Sequence, residues 1–242
     1  ISFNRPDSAN ALNRQMGLEL KDIFASLDHN TVRCVILTGN GRHFCAGADL
    51  KERKGMNETQ WHDQHAAFES ALRAILALPA PVIAAVNGAA IGGGLELALA
   101  CDFIYAGKSA KFGLTEATLG IMPGLGGAVQ LMRRIGEARA KELLYTGKIF
   151  SADEALSLGL TNRLCENETL MDDVMQTAQT IAANAPLAVK AIKKSAKECS
   201  GLSLHDALAN ELQHYNMLLR SKDRHEGINS FNEKRKPVFT GE

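Results

Sequence analysis

Two carboxylates stand apart from every other charge in this 242-residue chain. Glu96 is the only ionisable acid or base between Arg73 and Asp102, apart from the weakly acidic Cys101 thiol. Glu116 is the only charged residue between Lys111 and Arg133. Apolar, Gly-rich surroundings disfavour an ionised carboxylate and move its pKa toward neutrality, where it exchanges protons readily. Two such groups suggest an acid–base pair. Beside Glu96, the run Gly92, Gly93, Gly94 opens a helix, so unpaired N–H groups and the positive dipole end point at one place. Ala46-Gly47-Ala48 offers a second small-residue turn with a free N–H. Two converging N–H groups make an oxyanion hole, suited to a thioester oxygen that becomes enolate-like.

Strand, turn and helix alternate along the chain, which predicts an α/β architecture. Helices are expected over residues 16–27, 66–78, 93–101 and from 124–127 through 133. Strands are expected over 34–38 and 82–86, with short extended pieces at 103–105 and 111–112. Residues 52–65 read as polar and mobile. Ser151-Ala-Asp-Glu154 is a capping box that starts a short helix ending before Gly159. From about residue 185 the pattern is helical, with N-cap signatures at Ser203 and Ser221. Residues 1–184 therefore read as the core and 185–242 as a helical appendage. The segments CVILTGNGRHFCAGAD and PVIAAVNGAAIGGGLE share an apolar strand, Asn-Gly and a small-residue turn, hinting at a repeated unit.

Composition narrows the function classes. Lysine plus arginine equal aspartate plus glutamate at 27 each, so neither a basic nucleic-acid module nor an acidic tail is expected. The five cysteines form no CxxC, and the seven histidines show no metal-ligand spacing, so no metal site is expected. Residues 74–95 contain no charged residue, but Pro79, Pro81, Asn87-Gly88 and the glycine triplet argue for a buried strand rather than a membrane span. His43 and Cys45 lack the orienting third group of a nucleophilic site. Lys190, Lys193, Lys194 and Lys197 form a stripe that reads as a solvated face, with CoA phosphate or RNA as the sharper readings. The scattered cysteines suggest a reduced intracellular protein. The opening at Ile1 is expected to follow a missing piece, through a removed targeting peptide or a trimmed chain; the compartment would be mitochondrial in the former case and cytoplasmic in a bacterium.

FCAGADLKE (residues 44–52), NGAAIGGGLELALACD (87–102) and FGLTEATLGIMPGLGG (112–127) resemble the enoyl-CoA hydratase, or crotonase, superfamily. NRPDSANAL near the start and SFNEKRKPVFTGE at the end fit it too. The resemblance implies a right-handed spiral of ββα turns with a C-terminal helical region that drives trimerisation, commonly as hexamers. It makes Ala48 and Gly93 the oxyanion donors, Glu96 the carboxylate that deprotonates water, and Glu116 the one that protonates the α-carbon. It sets Ala46, Asp49, Leu50 and Lys51 beside the CoA moiety, and Tyr215, Phe231 and Lys234 near acyl chain or CoA. The implied reaction is hydration of a trans-2-enoyl-CoA in fatty-acid or branched-chain acyl degradation, with no cofactor beyond the CoA of the substrate. A 3-methylglutaconyl-CoA hydratase is the closest alternative, for which Arg53 or Lys54 could supply a cation for the substrate carboxylate. An RNA-binding homologue is the alternative from another class, but the matching helix carries only Arg14 and Lys21. Two departures from the family pattern are Thr115, where Pro is usual, and Ala128-Val129-Gln130, where Thr-Gln-Arg is usual.

Overall fold

The computed structural model describes residues 1–242. Its strands are β1 (Ser2–Phe3), β2 (Val35–Gly39), β3 (Val82–Val86), β4 (Ala89–Ile91), β5 (Phe103–Gly107), β6 (Lys111–Gly113), β7 (Phe150–Ser151) and β8 (Arg163–Cys165). Its helices are α1 (Arg14–Ser26), α2 (Leu50–Arg53), α3 (Glu58–Ala77), α4 (Gly93–Ala100), α5 (Gly127–Ile135), α6 (Glu137–Thr146), α7 (Ala152–Ser157), α8 (Leu170–Ala182), α9 (Pro186–Cys199), α10 (Leu204–Leu218) and α11 (Lys222–Asn232). One sheet has the order β1-β2-β3-β5-β8 and the other β4-β6-β7. The α/β expectation holds.

Successive strands alternate between the sheets. β3 enters the first sheet, β4 the second, and α4 follows; β5 and β6 repeat the step before α5 and α6. β2 begins the same step, and its second strand is reduced to a single parallel bridge, Cys45 to Ala90, before α2 and α3. The two segments that share a sequence likeness are therefore consecutive turns laid side by side. Every position of β3 is buried, as a strand flanked on both faces requires, and this accounts for the uncharged run around it. No helix is long and apolar enough to cross a membrane.

Residues 52–65 are not an irregular stretch, contrary to the sequence expectation. Asp49 caps α2 through the Lys51 and Glu52 N–H groups, and Asn57 and Gln60 close a reciprocal capping box at the start of α3. Polar residues supply these caps, so low hydrophobicity concealed two helix starts. At Ser151 the hydroxyl accepts the Glu154 N–H, but the Glu154 carboxylate goes to Lys148 Nζ at 2.8 Å, leaving half a capping box.

The chain divides into two compact units. The first comprises residues 1–27, 36–78 and 82–175; the second comprises 28–35, 79–81 and 176–242. Within the second, Ser203 and Ser221 cap α10 and α11 as their sequences predict. Lys190 and Lys193 donate to the His29 and Ala80 carbonyls, which commits half of the lysine stripe to the fold.

Candidate active site

A cavity of about 440 Å³ in the first unit is lined by Glu96, Glu116 and both small-residue turns. The turns are registered to one another through backbone. Cys45 N–H donates to Ala89 O at 2.9 Å, Ile91 N–H to Cys45 O at 3.0 Å, and Gly92 N–H to Gly113 O at 2.8 Å. Each turn then passes through a left-handed glycine, Gly47 at φ 95° and Gly92 at φ 51°. A side chain is strained in that conformation. The residue after each is the proposed donor, Ala48 or Gly93, and neither N–H has an acceptor within the chain. A Cβ built on Gly47 would lie 3.7 Å from Gly93 N, which places the two turns in contact. Gly93 is the first residue of α4, so its N–H is free by helix geometry and carries the positive end of the dipole.

Glu96 sits one turn into α4 and is 2% exposed. Its Oε1 accepts the Leu125 N–H at 2.7 Å and the Gly127 N–H at 2.9 Å, leaving Oε2 without a protein partner. A Cβ on Gly127 would fall 2.8 Å from Glu96 Oε1, so only glycine allows this approach. Burial pushes the Glu96 pKa up to about 7, against the pull of the two N–H groups and with some help from the Glu116 charge. Glu116 opens a short 3-10 turn, and its buried Oε2 has no hydrogen-bond partner. Burial raises its pKa too, opposed by its own backbone N–H and by the Arg53 charge. A carboxyl with a free oxygen and a pKa near neutrality can take a proton from water, and an unpartnered buried carboxyl favours its protonated form and can give one.

Of the other sequence-predicted positions, Ala46 and Leu50 line the cavity. Asp49 turns away from it and pairs with Arg5 at 2.9 Å. Burial alone would raise its pKa, but Arg5 and two backbone N–H groups hold it below the usual carboxylate range. Lys51 is exposed and outside the lining. Tyr215, Phe231 and Lys234 belong to the second unit, where Tyr215 lines a recess between α9 and α10 and Phe231 is 83% exposed. Cys45 is buried with its thiol pushed up to about 11, so the loop uses its backbone rather than its sulfur. Thr115 lines the cavity, whereas Ala128, Val129 and Gln130 do not.

Among the lining residues that the sequence did not single out, four come from α3: Trp61, His62, His65 and Phe68. Trp61, His65 and Phe68 are spaced i, i+4, i+7 on α3, which is one helix face. That spacing was the available signal.

The raised Glu96 pKa has a sign that stability can test. The folded state holds the proton more tightly than the unfolded one, so this contribution is full below about 4.5 and declines as pH rises to about 7. At about 1.4 kcal/mol per pKa unit the loss is about 3 kcal/mol. Glu96→Gln is uncharged and keeps an oxygen for the Leu125 and Gly127 N–H groups of the loop. It is therefore expected to be more stable than wild type at pH 8 and nearly equal at pH 4.5, as read by urea denaturation.

The whole chain, residues 1–242, matches the family model described as enoyl-CoA hydratase/isomerase. YngF of Bacillus subtilis (strain 168) is 44% identical over 243 residues, covering 100% of this chain and 94% of that protein. A crotonyl-CoA hydratase of Syntrophomonas wolfei is 40% identical, covering 99% of this chain and 93% of that protein. The crystal structure of an enoyl-CoA hydratase from Bacillus anthracis superposes with a TM-score of 0.97 at 45% identity, covering 100% of this chain and 94% of that one.

Proposed function

The chain belongs to the enoyl-CoA hydratase/isomerase family, and from that premise we propose that it adds water across the 2,3 double bond of a trans-2-enoyl-CoA. The observation that carries this reading is the pair of buried carboxyls in one cavity with two unpaired N–H groups. The Ala48 and Gly93 N–H groups hold the thioester oxygen and draw electron density from C3. Water hydrogen-bonded to Glu96 Oε2 attacks C3 and gives up its proton to that oxygen. The electron pair of the double bond moves toward the thioester, and C2 takes the proton of Glu116. The product is a 3-hydroxyacyl-CoA, and the two carboxyls exchange their protons before the next turn. CoA enters with the substrate, and no other cofactor is needed. An isomerase moves a proton without adding water, a task for which one suitably placed acid suffices.

Mixing the protein with crotonyl-CoA and identifying 3-hydroxybutyryl-CoA tests the reading. Saturable turnover at ordinary enzymatic rates supports it; recovery of unreacted thioester contradicts it.

Assembly belongs to the same proposal. In the second unit Leu208 and Leu212 are 57% and 56% exposed on α10, beside an apolar recess of about 600 Å³ between α9 and α10. A face of this kind is expected to be covered by another copy, and the trimer or hexamer implied by the family resemblance would cover it. Light scattering should give three or six times the 26.1 kDa chain mass, and the double variant Leu208→Glu/Leu212→Glu should fall to the single-chain mass. A monomeric wild type would contradict this.

A further inference from the structure

The two oxyanion donors are oriented by different devices. Gly92 O accepts the Glu96 N–H at 3.0 Å, so the peptide that carries the Gly93 N–H is set by helix α4 itself. Ala48 precedes α2 and has no such support. Gly47 before it, at φ 95°, has the conformational freedom to let the intervening peptide turn over. A turned peptide would present a carbonyl to the thioester oxygen in place of the N–H. Leu12 prevents this. Its N–H donates to Gly47 O at 2.7 Å and its carbonyl accepts the Asp49 N–H at 2.9 Å, so the peptides on both sides of Ala48 are held. The Gly47–Ala48 peptide is trans and planar, so with its carbonyl drawn toward Leu12 its N–H points the opposite way. The Ala48 nitrogen there stands beside the other donor, 3.9 Å from where a Cβ on Gly93 would lie.

Leu12 is held in turn by the segment before it, and that segment is strained. Ala9 and Asn10 are consecutive non-glycine residues at positive φ, 51° and 54°. Such a conformation persists only where the surroundings fix it. Asn10, fully buried, supplies the fixing: its Oδ1 accepts the Arg5 N–H at 2.8 Å, and its Nδ2 donates to Asn40 O at 2.9 Å and His43 O at 2.7 Å. Arg5 ties down both flanks of the contact. One terminal nitrogen donates to Ala11 O, just before Leu12, and the other to the Asp49 carboxylate, just after Ala48, at 2.9 Å. Neither Asn10 nor Arg5 lines the cavity. We propose that Asn10 and Arg5 are positioning residues of the oxyanion hole, acting through the Leu12 backbone to aim the Ala48 N–H at the thioester oxygen. The inference rests on the acyl-CoA reading of the site, but its binding test needs no turnover.

Infrared spectroscopy of the full-length protein with butyryl-CoA, isotopically labelled at its thioester carbonyl, reads the hydrogen bonds to that oxygen without reaction. Binding to the wild type should lower the carbonyl frequency, and Asn10→Gly and Arg5→Met should each lose part of that lowering. Glycine at position 10 keeps the left-handed backbone without strain and removes only the side-chain hydrogen bonds. On crotonyl-CoA each variant should lower kcat by about 10- to 100-fold, less than the whole worth of one donor. KM and the affinity for butyryl-CoA should change little, because the donor matters most in the transition state. Arg5→Lys can still pair with Asp49 and should recover part of both losses. The Arg5 side chain is 30% exposed, so its variants carry the test even where Asn10→Gly does not fold. A full carbonyl shift in Arg5→Met alongside lost activity overturns the proposal, because Arg5 would then support the fold rather than the donor. Wild-type activity in Arg5→Met, or a loss carried by KM alone, overturns it too. A wild type that binds butyryl-CoA with no lowering of the carbonyl frequency overturns the oxyanion hole and its positioning together. Loss of the shift in the variants of a protein that hydrates no enoyl thioester would overturn the hydratase reading and leave the positioning standing.

Discussion

Glu96→Gln and Glu116→Gln are each expected to lower kcat on crotonyl-CoA by about 10²- to 10⁴-fold, the usual worth of a positioned acid or base. Both changes keep the side-chain shape and remove only the ability to exchange a proton. Glutamine at position 96 still offers an oxygen to the Leu125 and Gly127 N–H groups, so the loop it holds should stay in place. Glutamine at position 116 replaces a carboxyl whose buried Oε2 has no hydrogen-bond partner to lose. Affinity for a saturated acyl-CoA should therefore change little, and titration of both variants would show it. With both carboxyls present, activity should pass through a maximum with pH, because the step needs Glu96 ionised and Glu116 protonated and burial raises both groups, Glu96 to about 7. The two groups influence each other, so the profile reports the pair rather than either residue. A variant that hydrates at a near-wild-type rate would remove its residue from the mechanism.

Gly93→Pro is expected to cost about 10²- to 10³-fold in kcat, the magnitude associated with losing one oxyanion donor. Gly93 is the first residue of α4, a position where proline is well tolerated because its N–H makes no helical bond. The helix should form, but its first turn would present a ring carbon where the thioester oxygen needs a hydrogen. Gly93→Ala is the matched control. Its Cβ would meet nothing nearer than 3.9 Å and its N–H remains, so its loss should be at least about tenfold smaller. Equal losses in the two variants would mean that glycine matters here for space rather than for its N–H. Circular dichroism of both proteins separates a missing donor from a missing helix.

The parts of the site made by local rules were visible in the residues. A lone glutamate one turn after a glycine triplet announces both a desolvated acid and a helix N-terminus, and Glu96 and Gly93 occupy those places. The helices capped by Ser203 and Ser221 begin where the cap signatures set them, because capping is decided within one turn. What the residues concealed depends on distant partners. β4 is three residues long and exists because Cys45 and β6 flank it, which no local propensity records. α2 and the first turns of α3 looked irregular because the residues that stabilise them are polar: Asp49, Asn57, Gln60 and the Arg53–Gln64 bond. The same polarity hid the contribution of His65 and Trp61 to the cavity wall. Asp49 and Lys51 adjoin the oxyanion turn in sequence, yet neighbours on a tight turn face different ways, and neither side chain lines the cavity.

Hydration of crotonyl-CoA in heavy water, with the product resolved by proton NMR, tests the two-carboxyl mechanism most directly. A water-derived proton delivered by Glu116 and an oxygen delivered beside Glu96 should give 3-hydroxybutyryl-CoA carrying one deuterium at C2, on the same face as the new hydroxyl. Neither Glu96→Gln nor Glu116→Gln should form it at a comparable rate. A rearranged enoyl-CoA with no added oxygen, or deuterium distributed over both faces of C2, would contradict it.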